Sequence, residues 1–228
     1  EIQRRMATIH IDVDPAEIGK NMQAAVPLVG NVKVILRQLL EGGVPVTDSA
    51  AWREKLRDYR AAELSRQFPS RPGYVFPGTV MRKLGVRLED NAVVCVDVGQ
   101  NQIFTCKYLP QKHGRLLTSG GLGTMGYALP AAIGVKAAQP ERQTLVVCGD
   151  GSFQMAMNEL AAVACAGMDL KILLFRNNTL GLVHQIQSRA PYHGPFGVAL
   201  DGSPDFGKIA GAYGIPSLTV NDEDQLDG

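Results

Sequence analysis

The clearest pattern of apolar and polar positions lies in residues 144–178, which read TLVVCGDGSFQMAMNELAAVACAGMDLKILLFRNN. An apolar run of strand length at 145–148 stops at the polar turn Gly149-Asp150-Gly151-Ser152, and a second run at 170–175 is followed by Arg176-Asn177-Asn178-Thr179. Between the two runs, apolar side chains recur at helical spacing at Met155, Leu160, Ala161, Val163 and Ala164. The pattern predicts a strand–helix–strand unit whose two strands are parallel and adjacent.

The polar residues after these two strands are candidates for one ligand site. Parallel neighbours present their carboxyl ends at the same edge, where open α/β sheets bind ligands, so Asp150 and the two asparagines should meet there. Carboxylate, amide and carbonyl oxygens suit Mg²⁺. Gly149 and Gly151 allow backbone amides to approach an anion, and the helix that begins near Ser152 directs its positive end to the same place. We predict a Mg²⁺-bridged phosphate or diphosphate.

Predicted strands and helices follow one another through most of the chain, which indicates an α/β fold. Strands are predicted at 6–13, 92–98, 144–148 and 170–175, and helices at 48–67, from Pro77, from about Thr124, at 153–166, from about Leu180 and at 204–213. This order favours a doubly wound parallel sheet. Asn31 can cap a further helix, and residues 41–47 have linker composition, so we divide the chain into residues 1–44 and 45–228. Both ends fall inside such patterns, and we expect a part of a longer protein whose second domain is truncated at its C-terminal end.

Composition restricts the class of protein. The 228 residues are 45% hydrophobic, enough for a substantial core, and 23 basic against 22 acidic residues leave a net charge of +1. Nothing in this balance favours a nucleic acid or an anionic membrane surface as partner, and no apolar run has the length of a bilayer span. The cysteines form no CxxC pair and are expected to be buried in a reducing compartment, which favours the cytoplasm. They are Cys95, Cys106, Cys148 and Cys165.

Asp150 and Asn177 also lie at an informative spacing. A Gly-Asp-Gly turn or an Asn pair alone is ordinary loop chemistry. Together, 27 positions apart, they resemble the signature of thiamine diphosphate-dependent enzymes, GDG followed by Asn. Four further stretches resemble the acetolactate (acetohydroxyacid) synthase branch: IHIDVDPAEIGKN at 9–21, DVGQNQIF at 97–104, LTSGGLGTMGYALPAAIG at 117–134 and LGLVHQIQ at 180–187. The resemblance implies a C-terminal fragment of such a catalytic subunit, in which 1–44 end the middle domain and 45–228 form the diphosphate-binding domain.

The resemblance implies particular metal ligands. Asp150 matches the carboxylate ligand, Asn177 the amide ligand, and the backbone carbonyl of Thr179 the third ligand. The family's Asn pair usually ends at the ligand position, whereas here the pair begins there, behind Arg176, so Asn178 is the alternative ligand. Because the implied role of Asp150 is ligation, we expect Asp150→Ala to abolish metal-dependent binding and to leave the fold intact.

Other matched positions imply contacts with the cofactor itself. Gly99 and Gln100 match a loop that contacts the diphosphate, and Asn101 replaces the usual His there; its amide can still donate a hydrogen bond to phosphate. Gly123 and Met125 match positions that hold the aminopyrimidine ring, where the Met side chain supports the bent cofactor. The remaining implied contacts come from Gly149, Asp150, Gly151, Ser152, Asn177, Thr179, Leu180, Gly181 and Leu182.

The implied activity is a decarboxylation of a 2-oxo acid, pyruvate first, that depends on thiamine diphosphate and Mg²⁺. Carboligation to a second 2-oxo acid follows, in branched-chain amino acid biosynthesis. The family's activating Glu belongs to a pyrimidine-binding domain that no segment here resembles, so we assign no catalytic residue to this chain and expect it to be inactive alone. The resemblance implies that the longer protein is a homodimer or homotetramer. It also allows for bound FAD and for a regulatory subunit.

Substrate choice depends on a further set of matched positions. Gly181, Leu182 and Ile186 face the reacting carbon in the family, and many synthases carry a Trp at the Ile186 position that favours the larger acceptor, 2-oxobutyrate. Isoleucine leaves more room, so we expect weak discrimination between acceptors, since one methylene is worth only about 1–3 kcal/mol. The alternative is that Ile186 is an ordinary core residue of a short helix.

Three other functions stay open at this point. Another thiamine diphosphate-dependent 2-oxo acid decarboxylase would use the same site. Residues 121–126 also read G-x-G-x-x-G, and Asp150 ends the following strand, as in nicotinamide-dependent oxidoreductases, although residues 113–119 make a poor buried first strand. A non-catalytic module is the third, since Arg176 and Asn101 depart from the family pattern.

Overall fold

The computed structural model describes residues 7–43, 45, 47–66, 71–110, 114–189 and 194–227. The chain divides into two units, Glu1–Ser65 and Arg66–Gly228. This division by compactness groups the helix at Ala50–Ser65 with the first unit. The predicted boundary after residue 44 separates two domains of the family. A division by contacts does not test it, so it stays a prediction.

The first unit contains a small parallel sheet and two helices. Its elements are β1 (Ile9–Asp12), β2 (Val26–Val29), α1 (Val32–Glu41) and α2 (Ala50–Ser65). Asn31 caps α1 as predicted, because its Oδ1 accepts a hydrogen bond from the Lys33 backbone amide at 3.0 Å. Hydrophobic alternation does not predict β2, whose four residues include a proline.

The second unit is built on a four-stranded parallel sheet within the described residues, which confirms the predicted architecture. Its strands are β3 (Val93–Val96), β4 (Arg115–Leu117), β5 (Thr144–Gly149) and β6 (Lys171–Phe175). They lie in the order β4-β3-β5-β6, with Val96 opposite Val147 and Gly149 opposite Phe175. The chain runs outward from β3 to β4 and returns to β5 on the other side of β3. Such a reversal of winding leaves a crevice at the carboxyl ends of the strands, here between β3 and β5.

Helices cover both faces of this sheet. The helices of this unit within the described residues are α3 (Pro77–Arg87), α4 (Gln100–Tyr108), α5 (Ala128–Ala138), α6 (Asp150–Gln154), α7 (Leu160–Cys165), α8 (Gly181–Gln187) and α9 (Phe206–Ala212). Because side chains alternate along a strand, Val94 and Val147 pack with α3 and α4, whereas Cys95 and Val146 pack with α5 and α7 on the other face. None of the helices in the described residues has both the length and the apolarity of a membrane span.

The helix predicted at 153–166 is wrong in its continuity. A 3₁₀ helix at Met157–Glu159 separates α6 from α7. Met155, predicted on the apolar face, is 60% exposed, whereas Leu160 is buried as predicted. The break occurs at Ala156, whose φ of −134° is not helical, so α6 and α7 are separate helices. An apolar period of 3.6 residues runs through such a break and does not reveal it.

Like β2, α4 and β4 are missing from the predictions, and α5 begins later than predicted. α4 opens with the polar sequence Gln-Asn-Gln, and β4 is a three-residue edge strand, so neither has a clear hydrophobic period. α5 begins at Ala128 and not near Thr124, because the glycine-rich residues before it form a loop. The predicted helices near Leu180 and at 204–213 are confirmed as α8 and α9.

Only two of the four cysteines are buried as predicted. Cys95 and Cys148 lie in the central strands, and burial raises the pKa of Cys95 to about 12. Cys106 and Cys165 are exposed on α4 and α7, because both helices cover the sheet with only one face. All four are free thiols.

Candidate cofactor and metal site

The buried carboxylate of Asp150 joins the ends of β5 and β6. Asp150 is 1% exposed. Its Oδ1 accepts a hydrogen bond from the Gly151 amide at 2.8 Å, and its Oδ2 accepts from the amides of Asn177 at 3.0 Å and Asn178 at 2.6 Å. The structure thus brings Asp150 and the Asn pair together at one edge, as parallel pairing of β5 and β6 predicts.

The two asparagines turn their side chains in different directions. Asn178 has a φ of 54°, and its Oδ1 accepts a hydrogen bond from Arg176 Nε at 3.0 Å. Asn177 Oδ1 accepts from the Thr179 amide at 3.1 Å, and its Nδ2 lies 2.9 Å from the place that a Cβ on Gly181 would occupy. Asn177 therefore faces the first turn of α8, whereas Asn178 is engaged by Arg176.

The loop that carries Thr179 is held by an antiparallel bridge between Thr179 and Ala199. The Leu180 amide donates to Val198 O at 2.9 Å, and the Thr179 hydroxyl donates to the same carbonyl at 3.0 Å. The Leu200 amide in turn donates to Asn178 O at 2.9 Å. These bonds give the residues after β6 a defined backbone position beside Asp150.

The charge and donors at this edge fit a hard divalent cation. Within the described part of the chain, Asp150 forms no ion pair with a basic side chain, and backbone amides compensate for the burial of its carboxylate. Burial raises the pKa of the Cys148 thiol, and the carboxylates of Asp97 and Asp150 raise it further. Among the described residues, no group of three or more His, Cys, Asp or Glu side chains could hold a metal ion. A metal here would thus need amide and carbonyl oxygens besides the single carboxylate.

The glycine turn after β5 leaves space that other side chains fill. A Cβ on Gly151 would lie 2.5 Å from Leu180 Cδ2, 3.2 Å from Leu200 Cδ1 and 3.5 Å from Met125 Cε. The side chains of Met125 and Leu180, both predicted to contact the cofactor, thus approach each other over Gly151. The Ser152 hydroxyl holds the turn: it donates to the carbonyl of Gly149 and accepts from its amide, both at 3.1 Å.

The first turn of α4 lies at the carboxyl end of β3, beside the same edge. Gly99 has a φ of 147°, a backbone conformation that favours glycine. Gln100 Nε2 donates to Gln185 Oε1 at 3.2 Å, which connects α4 to α8. Asn101 has a different role from the one predicted, because its Nδ2 donates to the carbonyls of Asp97 at 2.7 Å and Val147 at 3.3 Å. Its amide joins the ends of β3 and β5 instead of pointing outward toward a phosphate.

The glycine-rich residues 118–127 form a loop between β4 and α5. Gly123 is exposed with a φ of 65°, and its amide donates to Ser119 O at 3.0 Å. The later part of the loop is held by Asp97, which is not among the predicted site residues. Asp97 Oδ1 accepts from the Gly126 amide at 2.9 Å, and Oδ2 accepts from the Ala128 amide at 3.1 Å. An acid directly after a buried strand and before Gly99 is the signal that could have identified it.

The same loop does not have the geometry of a dinucleotide fingerprint. In that motif the glycines open the helix after a buried first strand and place the pyrophosphate at its N-terminus. Here α5 begins at Ala128, after all the glycines of residues 121–126. β4, the strand before them, is a short edge strand with an exposed first residue.

α8 presents its apolar side chains unevenly. Leu182 is half-buried, but Ile186 is 55% exposed and Val183 is exposed as well. The alternative that Ile186 is an ordinary core residue is therefore wrong. α8 does not bury this side chain within the described residues, so Ile186 is available to a ligand or a partner.

Comparison with known proteins identifies the family. Residues 97–228 match the family model described as "Thiamine pyrophosphate enzyme, C-terminal TPP binding domain". Similar proteins include the probable acetolactate synthase large subunit of Methanocaldococcus jannaschii, 36% identical over 228 residues, and the acetolactate synthase isozyme 1 large subunit of Escherichia coli strain K12, 38% identical over 223 residues. The acetolactate synthase of Mycobacterium avium is 37% identical over 228 residues.

These alignments cover most of this chain but only part of each relative. They span 96%, 94% and 96% of the chain, and 38%, 38% and 37% of the three relatives in the same order. The family model includes the residues that follow β3, β5 and β6, which together form the carboxyl edge of the sheet. This match decides against the nicotinamide-dependent alternative. The resemblance inferred from the sequence is confirmed: the chain belongs to the thiamine pyrophosphate enzyme family.

Proposed function

We propose that the carboxyl edge of the second unit's sheet binds thiamine diphosphate through Mg²⁺. The observation that carries the proposal is the meeting of two strand ends, where the buried Asp150 carboxylate accepts hydrogen bonds from the amides of Asn177 and Asn178. One cation can be shared only by oxygen atoms that lie close together, and these backbone hydrogen bonds hold the Asp150 carboxylate beside the residue that carries the Asn177 side-chain amide. The match to a TPP-binding family model supports the same ligand.

The proposed cation ligands are the Asp150 carboxylate, the Asn177 amide oxygen and the Thr179 carbonyl. The diphosphate would bind beside them, against the backbone amides of the turn that follows Gly149 and of the first turn of α4. Helix N-termini and glycine turns favour anions because their N–H groups are not used within the helix. Ser152 and Asn101 would act through the backbone that their side chains hold.

The ring end of the cofactor would lie beside Met125 and Gly123, with Leu180, Gly181 and Leu182 as neighbours. When bound, the cofactor supplies the carbanion chemistry, and the protein supplies position and polarity. Met125 already reaches over the glycine turn, as a side chain that supports a bent cofactor must. The activating Glu would come from a pyrimidine-binding domain that no segment of this chain resembles, and we expect this chain alone to be inactive.

As an acetolactate synthase-like enzyme, the longer protein would decarboxylate a 2-oxo acid, with pyruvate as the first candidate, and join the product to a second 2-oxo acid. Exposed Ile186 would offer the acceptor an apolar contact without an indole, so we expect weak discrimination between acceptors. Two relatives are named large subunits, which supports a regulatory subunit and a homodimer or homotetramer here. FAD binding and a cytoplasmic location stay predictions from the sequence.

Another thiamine diphosphate-dependent 2-oxo acid decarboxylase would use the same edge. The two functions differ in whether a second 2-oxo acid accepts the decarboxylated product. Product analysis of the longer protein with pyruvate distinguishes them, since carboligation yields a five-carbon 2-hydroxy-3-oxo acid and simple decarboxylation yields an aldehyde.

Calorimetric titration of thiamine diphosphate with and without Mg²⁺ tests the proposed site. Asp150→Ala would remove both a proposed metal ligand and the acceptor that holds the backbone after β6, so a loss of binding in that variant would have two causes. Asp150→Asn is the better variant, since it keeps the shape and one acceptor. We expect it to cost more than the roughly 10–100-fold in affinity that outer-shell changes at metal sites cost.

Asp201→Asn is the matched control, because Asp201 is an exposed aspartate next to Leu200 at the same edge. It should keep Mg²⁺-dependent binding. Thermal melting of both variants checks that they fold. An Asp150→Asn chain that folds and binds with unchanged Mg²⁺ dependence would contradict the proposal.

A further inference from the structure

Asp97 connects the end of β3 to the loop that carries Met125. Asp97 is 2% exposed. Its Oδ1 accepts hydrogen bonds from the amides of Val98 and Gly126, both at 2.9 Å, and its Oδ2 accepts from the Ala128 amide at 3.1 Å. The Gly126 and Ala128 amides lie 29 and 31 positions after Asp97 in the chain. Both residues follow Met125, so these bonds hold the backbone on the C-terminal side of Met125.

The other hydrogen bonds of this loop are at its N-terminal end. Thr118 Oγ1 accepts from Gln102 Nε2 at 2.9 Å, and Ser119 accepts from the amides of Gly123 at 3.0 Å and Thr124 at 3.1 Å. Residues 120–124 are all exposed. The bonds from Asp97 are therefore what ties the Met125 end of the loop to the sheet.

A carboxylate is the side chain that this position needs. Three amides converge on it, and an ionised carboxylate offers acceptors on both oxygens, whereas an Asn would turn an N–H group toward one of the amides. Ala128 is the first residue of the 11-residue helix α5, so the charge of Asp97 also lies at the positive end of a helix dipole. No basic side chain in the described ranges pairs with Asp97 and could replace these bonds.

We infer that Asp97 is a positioning residue for the cofactor's ring. It holds the Met125 loop so that Met125 Cε stays over Gly151, 3.5 Å from the place of a Cβ there. The inference rests on the proposed function, because it takes the ring of thiamine diphosphate as the group that Met125 contacts. The Asp97 side chain accepts no hydrogen bond from Asp150, Asn177 or the turn that follows Gly149, and only its bond from the Val98 amide lies near the first turn of α4. Its loss should therefore affect the ring end of the ligand more than the diphosphate end.

Two ligands separate this role from a general structural one. Calorimetry should compare thiamine diphosphate, which has the ring, with inorganic diphosphate, which does not, both in the presence of Mg²⁺. For Asp97→Asn we expect the affinity for thiamine diphosphate to fall by about tenfold or more, as for loss of hydrogen bonds to a charged group. The affinity for inorganic diphosphate should stay within about twofold. Amide hydrogen exchange at Gly126 should become faster even without ligand.

Asp205→Asn is the matched control, because Asp205 also caps a helix, accepting from the Lys208 amide at 3.1 Å, and lies outside this loop. It should keep both affinities and the exchange rate at Gly126. Asp97→Ser, a smaller uncharged change, serves if Asp97→Asn does not fold. Equal losses for both ligands, or no loss for either, would overturn the inference while leaving the proposed function intact. A wild-type chain that binds neither ligand would overturn the proposed function and this inference with it.

Discussion

At the scale of single residues, two buried aspartates and one glycine position the carboxyl edge. Asp97 and Asp150 follow neighbouring strands, and each accepts hydrogen bonds from backbone amides of a segment far along the chain. A buried carboxylate is tolerated only when such bonds compensate for lost hydration, so both residues also serve the fold. Gly151 completes the arrangement, because the absence of a side chain there admits Met125 and Leu180.

Gly151→Ala tests this use of space. The new Cβ would lie 2.5 Å from Leu180 Cδ2, so Leu180 must move, and the contact with Met125 changes with it. We expect a loss of about 1–3 kcal/mol in the free energy of unfolding, typical of overpacking, together with weaker binding of thiamine diphosphate. Urea unfolding and calorimetry measure the two effects.

Gly202→Ala is the control for that substitution. Gly202 is exposed, its φ is not positive, and a Cβ there would meet no atom within 4 Å. It should change neither stability nor affinity beyond about 0.5 kcal/mol. If both variants behaved alike, the space over Gly151 would have no role.

At the scale of elements, α5 links the glycine-rich loop to β5 and is held at both ends. Asp97 accepts from the amide of Ala128 at its first turn. Near its other end, Lys136 is 6% exposed, and its Nζ donates to the carbonyls of Pro140 at 2.9 Å and Arg142 at 2.7 Å. The ammonium thus fixes the turn that leads from α5 into β5, the strand that ends at Asp150.

Lys136→Met should weaken this connection. The methionine keeps most of the apolar stem but leaves two carbonyls without their charged donor, so we expect a loss of about 1–3 kcal/mol in the free energy of unfolding. Urea unfolding measures it. Lys208→Met, at a side chain that is 87% exposed, should change stability by less than about 0.5 kcal/mol. Equal stabilities of the two variants would show that the Lys136 bonds contribute nothing.

At the scale of the second unit as a whole, residues 222–227 form hydrogen bonds and ion pairs with α3 and the residues just before it. Asp222 accepts from the Gly73 amide at 2.6 Å, and Glu223 accepts from the Phe76 amide at 3.0 Å, next to the start of α3. Asp227 pairs with side chains farther along α3, with Lys83 at 2.5 Å and Arg87 at 3.4 Å. These bonds join residues about 140 to 150 positions apart, so they hold residues 222–227 against the segment that contains α3.

The Asp227 pair predicts a pH dependence. The hydrogen bond from Lys83, together with the charges of Lys83 and Arg87, holds the pKa of Asp227 below its ordinary value of 3.8. A lowered folded-state pKa adds stability that is fully present above 3.8 and is lost as the pH falls through the folded-state value. Asp227→Asn should therefore lower the melting temperature slightly at about pH 6 and not at about pH 2.

Salt provides the check on that prediction. The pair is on the surface, so about 1 M NaCl should remove most of the difference between wild type and variant at neutral pH. A difference in melting temperature that is independent of both pH and salt would mean that Asp227 acts through something other than its charge.

Much of the candidate site could be predicted from short stretches of sequence. The apolar runs of β5 and β6 and the polar residues after them are local signals, and parallel pairing of consecutive strands then brings Asp150 beside Asn177. Other features depend on contacts that no local pattern records. The inward amide of Asn101, the bonds from Asp97 to the Met125 loop and the break between α6 and α7 all arise from packing between distant segments.

By itself, then, the sequence determined the doubly wound class of the second unit, the family, and the edge at which two strands deliver an acid and an amide. Periodicity and turn chemistry act over a few residues, and they suffice for those conclusions. Only the tertiary structure decided which buried carboxylate holds which loop, which asparagine faces α8, and which apolar side chains stay exposed. Those choices depend on hydrogen bonds and close contacts at the sheet edge, which join segments that are far apart in sequence.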